Sequence, residues 1–341
     1  MNHPTLKSLT LGIGLFFTLP LVYANSSFPS SSDGTLYINK SKTRKVAPVK
    51  YGFHYEEIGM MGEGALHAEL IRNRSFEEAT PPAGLSVKNG LYENVPAPRV
   101  KEKKVFQADP LIGWTTYPLS YAPVFVSRTE EDSMSEENKY SMLVNVTEDI
   151  ANHPDAMILN RGYYGMNLNT DTSYRLSLFL KNRNYSAPLR VFLVDELGCK
   201  VSNVVEVNVG NRNWTKYTGE LKPEKNVQRG MLAIQPMSKG QFQIDVVSLF
   251  PSDTWNEGKS VFRKDIVQNL KEFAPSFIRF PGGCIVHGVN EETMYHWKKT
   301  LGPIENRPGQ WSKWAPYYRT DGIGYHEFYE LCEYVGADAM Y

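Results

Sequence analysis

The sequence predicts an α/β chain interrupted by an all-β unit, and three observations carry that reading. Val49–Ile58 (VKYGFHYEEI) alternates like a strand and is followed by a segment with helical spacing. From Gly113-Trp114 to Phe250 the chain breaks into short alternating runs separated by turn residues, the pattern of a β-sandwich. After Pro251 the order becomes helix, strand, loop, helix, strand, which is α/β grammar.

In chain order, Leu9–Val22 is apolar, follows Lys7 and ends at Val22-Tyr23-Ala24. It predicts a secretory signal at 1–24, and so an exported protein, periplasmic or extracellular. The run is too short to be a membrane span. Asn25–Asp33 is Ser-rich and opens a linker over 25–47. Residues 48–80 supply the first strand and a helix over Gly62–Asn73, where Ala65, Leu66 and Leu70 recur at helical spacing. Strands are predicted over Tyr140–Val146, Tyr174–Asn182, Leu189–Asp195, Val204–Val209, Thr215–Glu220, Gly230–Gln235 and Gln241–Leu249, within an inserted unit spanning 98–252. The last unit, 255–341, begins with an amphipathic helix, Val261–Phe273, with Ile266, Leu270 and Phe273 on one stripe. Strand Ser276–Phe280, a Trp-, Gly- and Pro-rich loop over Glu291–Gly309, and helix Ile323–Val335 follow. Ala337–Tyr341 begins another strand.

Composition narrows the function. The chain has 341 residues, 41% hydrophobic and 22% charged, so it is globular. Its formal net charge is zero, which argues against nucleic acid or an acidic membrane as partner. Three cysteines, Cys199, Cys284 and Cys332, make no complete disulfide framework for an exported chain. The seven histidines are scattered and no paired-Cys spacing occurs, so no metal site and no cofactor are expected.

Chemistry concentrates at Phe277–Gly288 (FIRFPGGCIVHG). An apolar strand stops at Pro281-Gly282-Gly283, residues that let the backbone turn sharply and approach a ligand. Arg279 inside the apolar run needs an acid or a polar ligand. No helix is expected to start after the two glycines, which rules against a phosphate cradle. Glycosidases need two carboxylates. Glu56 at a strand end reads as a sugar contact or as an exposed strand-end glutamate. Glu291 and Glu292 read as loop residues, and Glu327, Glu330 and Glu333 as the solvated face of a helix.

Tyr51-Gly52, Glu56 and Gly59, the run Ala68–Glu77 (AELIRNRSFE), RFPGGC at Arg279–Cys284, and Trp297, Gly302-Pro303 and Arg307-Pro308 occur in this order. In these residues the chain resembles the α-L-arabinofuranosidases of glycoside hydrolase family 51. The resemblance implies an incomplete (β/α)8 TIM barrel carrying an inserted β-sandwich, jelly-roll and carbohydrate-binding-module-like. It implies a retaining hydrolase acting on terminal non-reducing α-L-arabinofuranosyl groups of arabinan or arabinoxylan, with homo-oligomers expected of the full-length protein. Glu56 then matches a glutamate that binds arabinose hydroxyls, Arg279 an arginine at the base of the site, Gly283 and Cys284 the pocket wall, and Trp297 a loop aromatic near it. The acid/base and nucleophile of that family follow its fourth and seventh strands. The chain is therefore expected to be an N-terminal portion, truncated within the barrel, without either catalytic glutamate and inactive alone. The alternative from another class is a non-catalytic carbohydrate-binding protein working through the β-sandwich.

Overall fold

The computed structural model describes residues 41, 50–80, 87–89, 91–95, 104–107, 109–119, 122–288, 291, 294–312 and 318–341. The predicted signal and nearly all of the predicted linker lie outside these residues, so neither can be compared with it.

Gly52–His54 forms β1. A ribbon of β2 (Val87–Lys88), β3 (Leu91–Val95) and β4 (Lys104–Gln107) follows. The next eleven strands build two facing sheets. They are β5 (Trp114–Tyr117), β6 (Val124–Thr129), β7 (Ser141–Val146), β8 (Met157–Asn160), β9 (Met166–Leu168) and β10 (Tyr174–Asn182). After them come β11 (Pro188–Val194), β12 (Val205–Asn208), β13 (Thr215–Leu221), β14 (Val227–Pro236) and β15 (Gly240–Pro251). One sheet runs β13-β10-β15-β7-β6; the other runs β12-β11-β14-β8-β5, with β9 beside β14.

Period-two patterning explains the pairing of layers. Leu176, Leu178 and Leu180 on β10, Met142 and Val144 on β7, and Phe242 and Ile244 on β15 point inward from one sheet. Leu189, Val191 and Leu193 on β11 and Leu232 and Ile234 on β14 meet them from the other. The result is a β-sandwich, as the alternating runs predict.

The third part is a parallel sheet. Lys264–Phe273 is helix α1, Phe277–Arg279 is β16 and Cys284–His287 is the short helix α2. A small hairpin of β17 (Gln310–Trp311) and β18 (Tyr318–Arg319) precedes helix α3 (Tyr325–Val335) and strand β19 (Asp338–Met340). The sheet order is β1-β16-β19 with parallel registers. Ile278, Val267, Phe328, Leu331, Cys332 and Val335 share its apolar core.

Four expectations are corrected here. The helix over Gly62–Asn73 is one irregular turn, Gly62–Leu66, and Glu63 and Gly64 within it are not helical. Gly64 has φ +80° and packs against the Tyr163 ring. The segment beyond it is irregular: the Ala68 and Leu70 N–H groups bond to the distant Val261 and Leu249 carbonyls, and the Ile71 N–H bonds to the buried Glu69 carboxylate. Glu69 accepts N–H bonds from Ile71 at 3.0 Å and Leu249 at 2.8 Å and a Ser248 hydroxyl bond at 2.6 Å. In α1 the fully buried residue is Val267; Ile266 and Leu270 are half-buried and Phe273 is exposed against Phe53. A helix does start after Gly283. Glu327 is not solvated: it holds Arg307 at 2.7 Å and 3.1 Å and accepts the Gly324 N–H at 2.8 Å.

Candidate functional site at the strand ends

Parallel strands deliver their following residues to one edge of the sheet, the edge where α/β folds build sites. β1 delivers Tyr55, Glu56 and Glu57; β16 delivers Phe280 to Gly283; β19 delivers Tyr341. Beneath this edge lies an aromatic stack. Phe280 is parallel to Phe328 at 4.7 Å and to Tyr55 at 5.5 Å, and meets the Tyr295 edge at 5.6 Å. This packing fixes the strand ends and so the residues just beyond them.

Glu56 is the centre of the edge. The Ile285 N–H donates to its Oε1 at 3.0 Å, so the carboxylate caps the first turn of α2. Its Oε2 lies 4.0 Å from His54 Nε2. Gly282 lies directly against it: φ is +136°, and a Cβ there would overlap the Glu56 side chain. The Pro-Gly-Gly turn therefore fits around a carboxylate. Gly283 borders the same oxygen and His54 more loosely, and Cys284 follows as a half-buried thiol without a disulfide.

Arg279 pairs in register with His54 on one side and Met340 on the other, on one face of the sheet. It is exposed there, so the buried charge that the apolar run suggested does not arise. Trp297 opens a single 3-10 turn and packs on Tyr325 at 4.8 Å, while Tyr325 touches Tyr341 at 5.0 Å. Since Tyr341 follows β19, this chain of rings brings Trp297 to the same edge as Glu56. Its indole is 36% exposed, enough to offer a face to a ligand.

Supporting residues that sequence reasoning missed are buried ionic groups. Glu57 accepts the Gly62 N–H at 2.7 Å and the Tyr55 hydroxyl at 2.9 Å, which commits it to the loop. Glu63 accepts the Thr320 N–H at 2.9 Å and the Tyr163 hydroxyl at 3.2 Å. Arg319 and Asp321 pair at 3.2 Å, both buried; burial raises the Asp321 carboxyl above its ordinary range despite that partner. Glu63 gives little signal in sequence, since its partners lie 100 and 257 positions along the chain; the contacts of Glu57 and the Arg319–Asp321 pair are local, but nothing in their spacing marks them as buried. Among the described residues no group of three His, Cys, Asp or Glu could hold a metal ion. No helix among them is long and apolar enough to cross a membrane.

Residues 269–341 match the family model described as the alpha-L-arabinofuranosidase 1 domain. The chain is 29% identical over 299 residues to alpha-L-arabinofuranosidase 1 of Arabidopsis thaliana, covering 86% of this chain and 40% of the relative. It is 27% identical over 310 residues to the extracellular exo-alpha-L-arabinofuranosidase of Streptomyces chartreusis, covering 87% of this chain and 32% of that enzyme. The chain thus spans two fifths or less of the length of these two relatives. Its fold matches the arabinose-bound MgGH51 α-L-arabinofuranosidase with a TM-score of 0.69 at 24% identity, over 85% of this chain and 43% of that one.

Proposed function

We propose that this chain, a relative of the α-L-arabinofuranosidases of glycoside hydrolase family 51, supplies one wall of an arabinose-binding pocket in an exported glycoside hydrolase. The substrates on this reading are arabinans, arabinoxylans or related arabinosides that carry terminal α-L-arabinofuranosyl groups. The observation that carries the reading is the Glu56 carboxylate, held at a parallel strand end by the Ile285 N–H. One oxygen is fixed by the backbone, which leaves the other to accept hydroxyl hydrogen bonds from a sugar. A carboxylate used this way binds and orients; it need not exchange protons.

Arg279, Gly283, Cys284 and Trp297 complete the wall in this proposal. Arg279 offers donors to ring or hydroxyl oxygens, and Gly283 and Cys284 limit the pocket's width. Trp297 covers an apolar face of the sugar. The parallel β1-β16-β19 sheet with its helices is read as the start of a (β/α)8 barrel into which the sandwich, residues 98–252, is inserted.

Retaining hydrolysis needs a nucleophile and an acid/base roughly 5 Å apart. The three described strand ends offer Glu56 to sugar and commit Glu57 to Gly62, while the third bears Tyr341. Neither catalytic role is therefore assigned to a residue described here, and the chain alone is expected to bind arabinose without turnover. Release of nitrophenol from a nitrophenyl arabinofuranoside by the purified chain would overturn that assignment. Arabinose binding that Glu56→Gln leaves unchanged would overturn the pocket.

A further inference from the structure

A second cleft, of about 600 Å³, lies between the sandwich and α1, and it shares no lining residue with the strand-end site. One wall is the segment from Tyr163 to Thr172 around β9; the other is the first turns of α1; the floor comes from residues 67–70. We propose that this cleft binds a neutral oligosaccharide.

Its size falls within the usual range for small-molecule sites. Tyr164 lines it and is 80% exposed, the highest exposure of any large hydrophobic side chain among the described residues. A tyrosine ring held open to solvent offers an apolar face with a polar tip, which suits the C–H face of a sugar ring. Asn167 and Asn169 stand two residues apart along β9 and its extension, both exposed, and so present their amide groups to one side. Each carboxamide combines donors with an acceptor, the combination that neighbouring hydroxyls require. Asp253 adds acceptors at the rim.

Charge argues for a neutral ligand. Arg263 is paired with Asp265 at 2.5 Å, and Lys264 and Asp253 oppose each other in sign. A phosphate or an acidic polymer would meet no net positive field. The floor adds independent support: His67 and Thr254 are almost wholly buried, yet both imidazole nitrogens and the Thr254 hydroxyl lack hydrogen-bond partners among the described residues. Buried polar atoms of this kind are costly unless something satisfies them.

The test is calorimetric titration of the full chain with neutral, unbranched xylo-oligosaccharides, which carry no arabinofuranosyl group for the strand-end site. Wild type is expected to bind. Tyr164→Ala and Asn167→Ala are each expected to weaken binding at least tenfold, and the melting temperature should not move because both side chains are exposed. Unchanged binding by Tyr164→Ala, or no binding by wild type at millimolar oligosaccharide, overturns the proposal. So does binding of inorganic phosphate that depends on Tyr164. Loss of binding in Glu56→Gln alone would place the oligosaccharide at the strand ends and also overturn it.

Discussion

The Glu56 carboxylate accepts the Ile285 N–H at 3.0 Å across 229 positions of sequence. The bond joins the end of the first parallel strand to the helix that follows the second. It makes the carboxylate a structural cap, and on the proposed reading its other oxygen is the acceptor for a sugar.

Glu56→Gln separates those two roles. A glutamine Oε1 still accepts from Ile285, so the fold and the α2 turn should persist. The charged acceptor for sugar hydroxyls is gone, which at about 2 kcal/mol corresponds to roughly thirtyfold weaker arabinose binding. Ligand-observed NMR titration of both proteins measures the ratio.

Gly282→Ala should damage fold and binding together. Its φ of +136° is poorly suited to alanine, and the added Cβ meets the Glu56 side chain. The expected loss is about 2 kcal/mol of stability together with loss of arabinose binding, since Glu56 must move. Urea unfolding gives the first and titration the second.

Removing Arg307 should cost more than altering its partner. Arg307 is buried, and besides Glu327 it bonds the Gly302 and Asp321 carbonyls. Arg307→Ala leaves a largely buried carboxylate without its counter-charge, expected to cost about 3 kcal/mol. Glu327→Gln keeps an acceptor for the guanidinium and for Gly324 and should cost less. Urea midpoints of the two variants give the order.

The chain should be more stable at mildly acidic than at alkaline pH. Burial raises the carboxyls of Glu69, Glu77, Asp245 and Asp321, and raises Glu78 to about 7 even beside Arg72. For a carboxyl whose folded pKa is raised, the native state holds the proton while the unfolded state has lost it. Stability therefore falls as pH rises from the ordinary carboxylate value toward the folded one. For Glu78 that window runs from 4.5 to about 7, with a slope of at most about 1.4 kcal/mol per pH unit. Melting temperatures between pH 5 and pH 8 should fall with pH in wild type, and less steeply in Glu78→Gln.

Legibility in the sequence followed the exposure of one face. β10 alternates inward and outward, and its predicted bounds, Tyr174–Asn182, coincide with the strand. β8 is buried on both faces, so its four residues carry no alternation and give no strand signal. The run after Gly62 has helical spacing, but the spacing of apolar residues says nothing about the buried glutamates between them. Glu63 bonds Thr320, 257 positions away, and only the folded chain brings the two together. At the candidate site, the strand-end position of Glu56 and the Pro-Gly-Gly turn were readable. The reason that turn needs glycine was not, because the reason is Glu56 itself.

Glu69 anchors Leu249 and Ser248 on the last sandwich strand, while Ile71 and Phe76 from the same segment lie inside the sandwich core. The sandwich is thus not a cassette that can be lifted out at its own sequence boundaries. A domain graft or deletion cut at residues 98 and 252 would abandon two core side chains on one piece and strand a buried glutamate without its acceptor-seeking partners. Any exchange of this unit between related enzymes has to carry residues 68–77 along with it, and those residues inherit change on both sides of the graft.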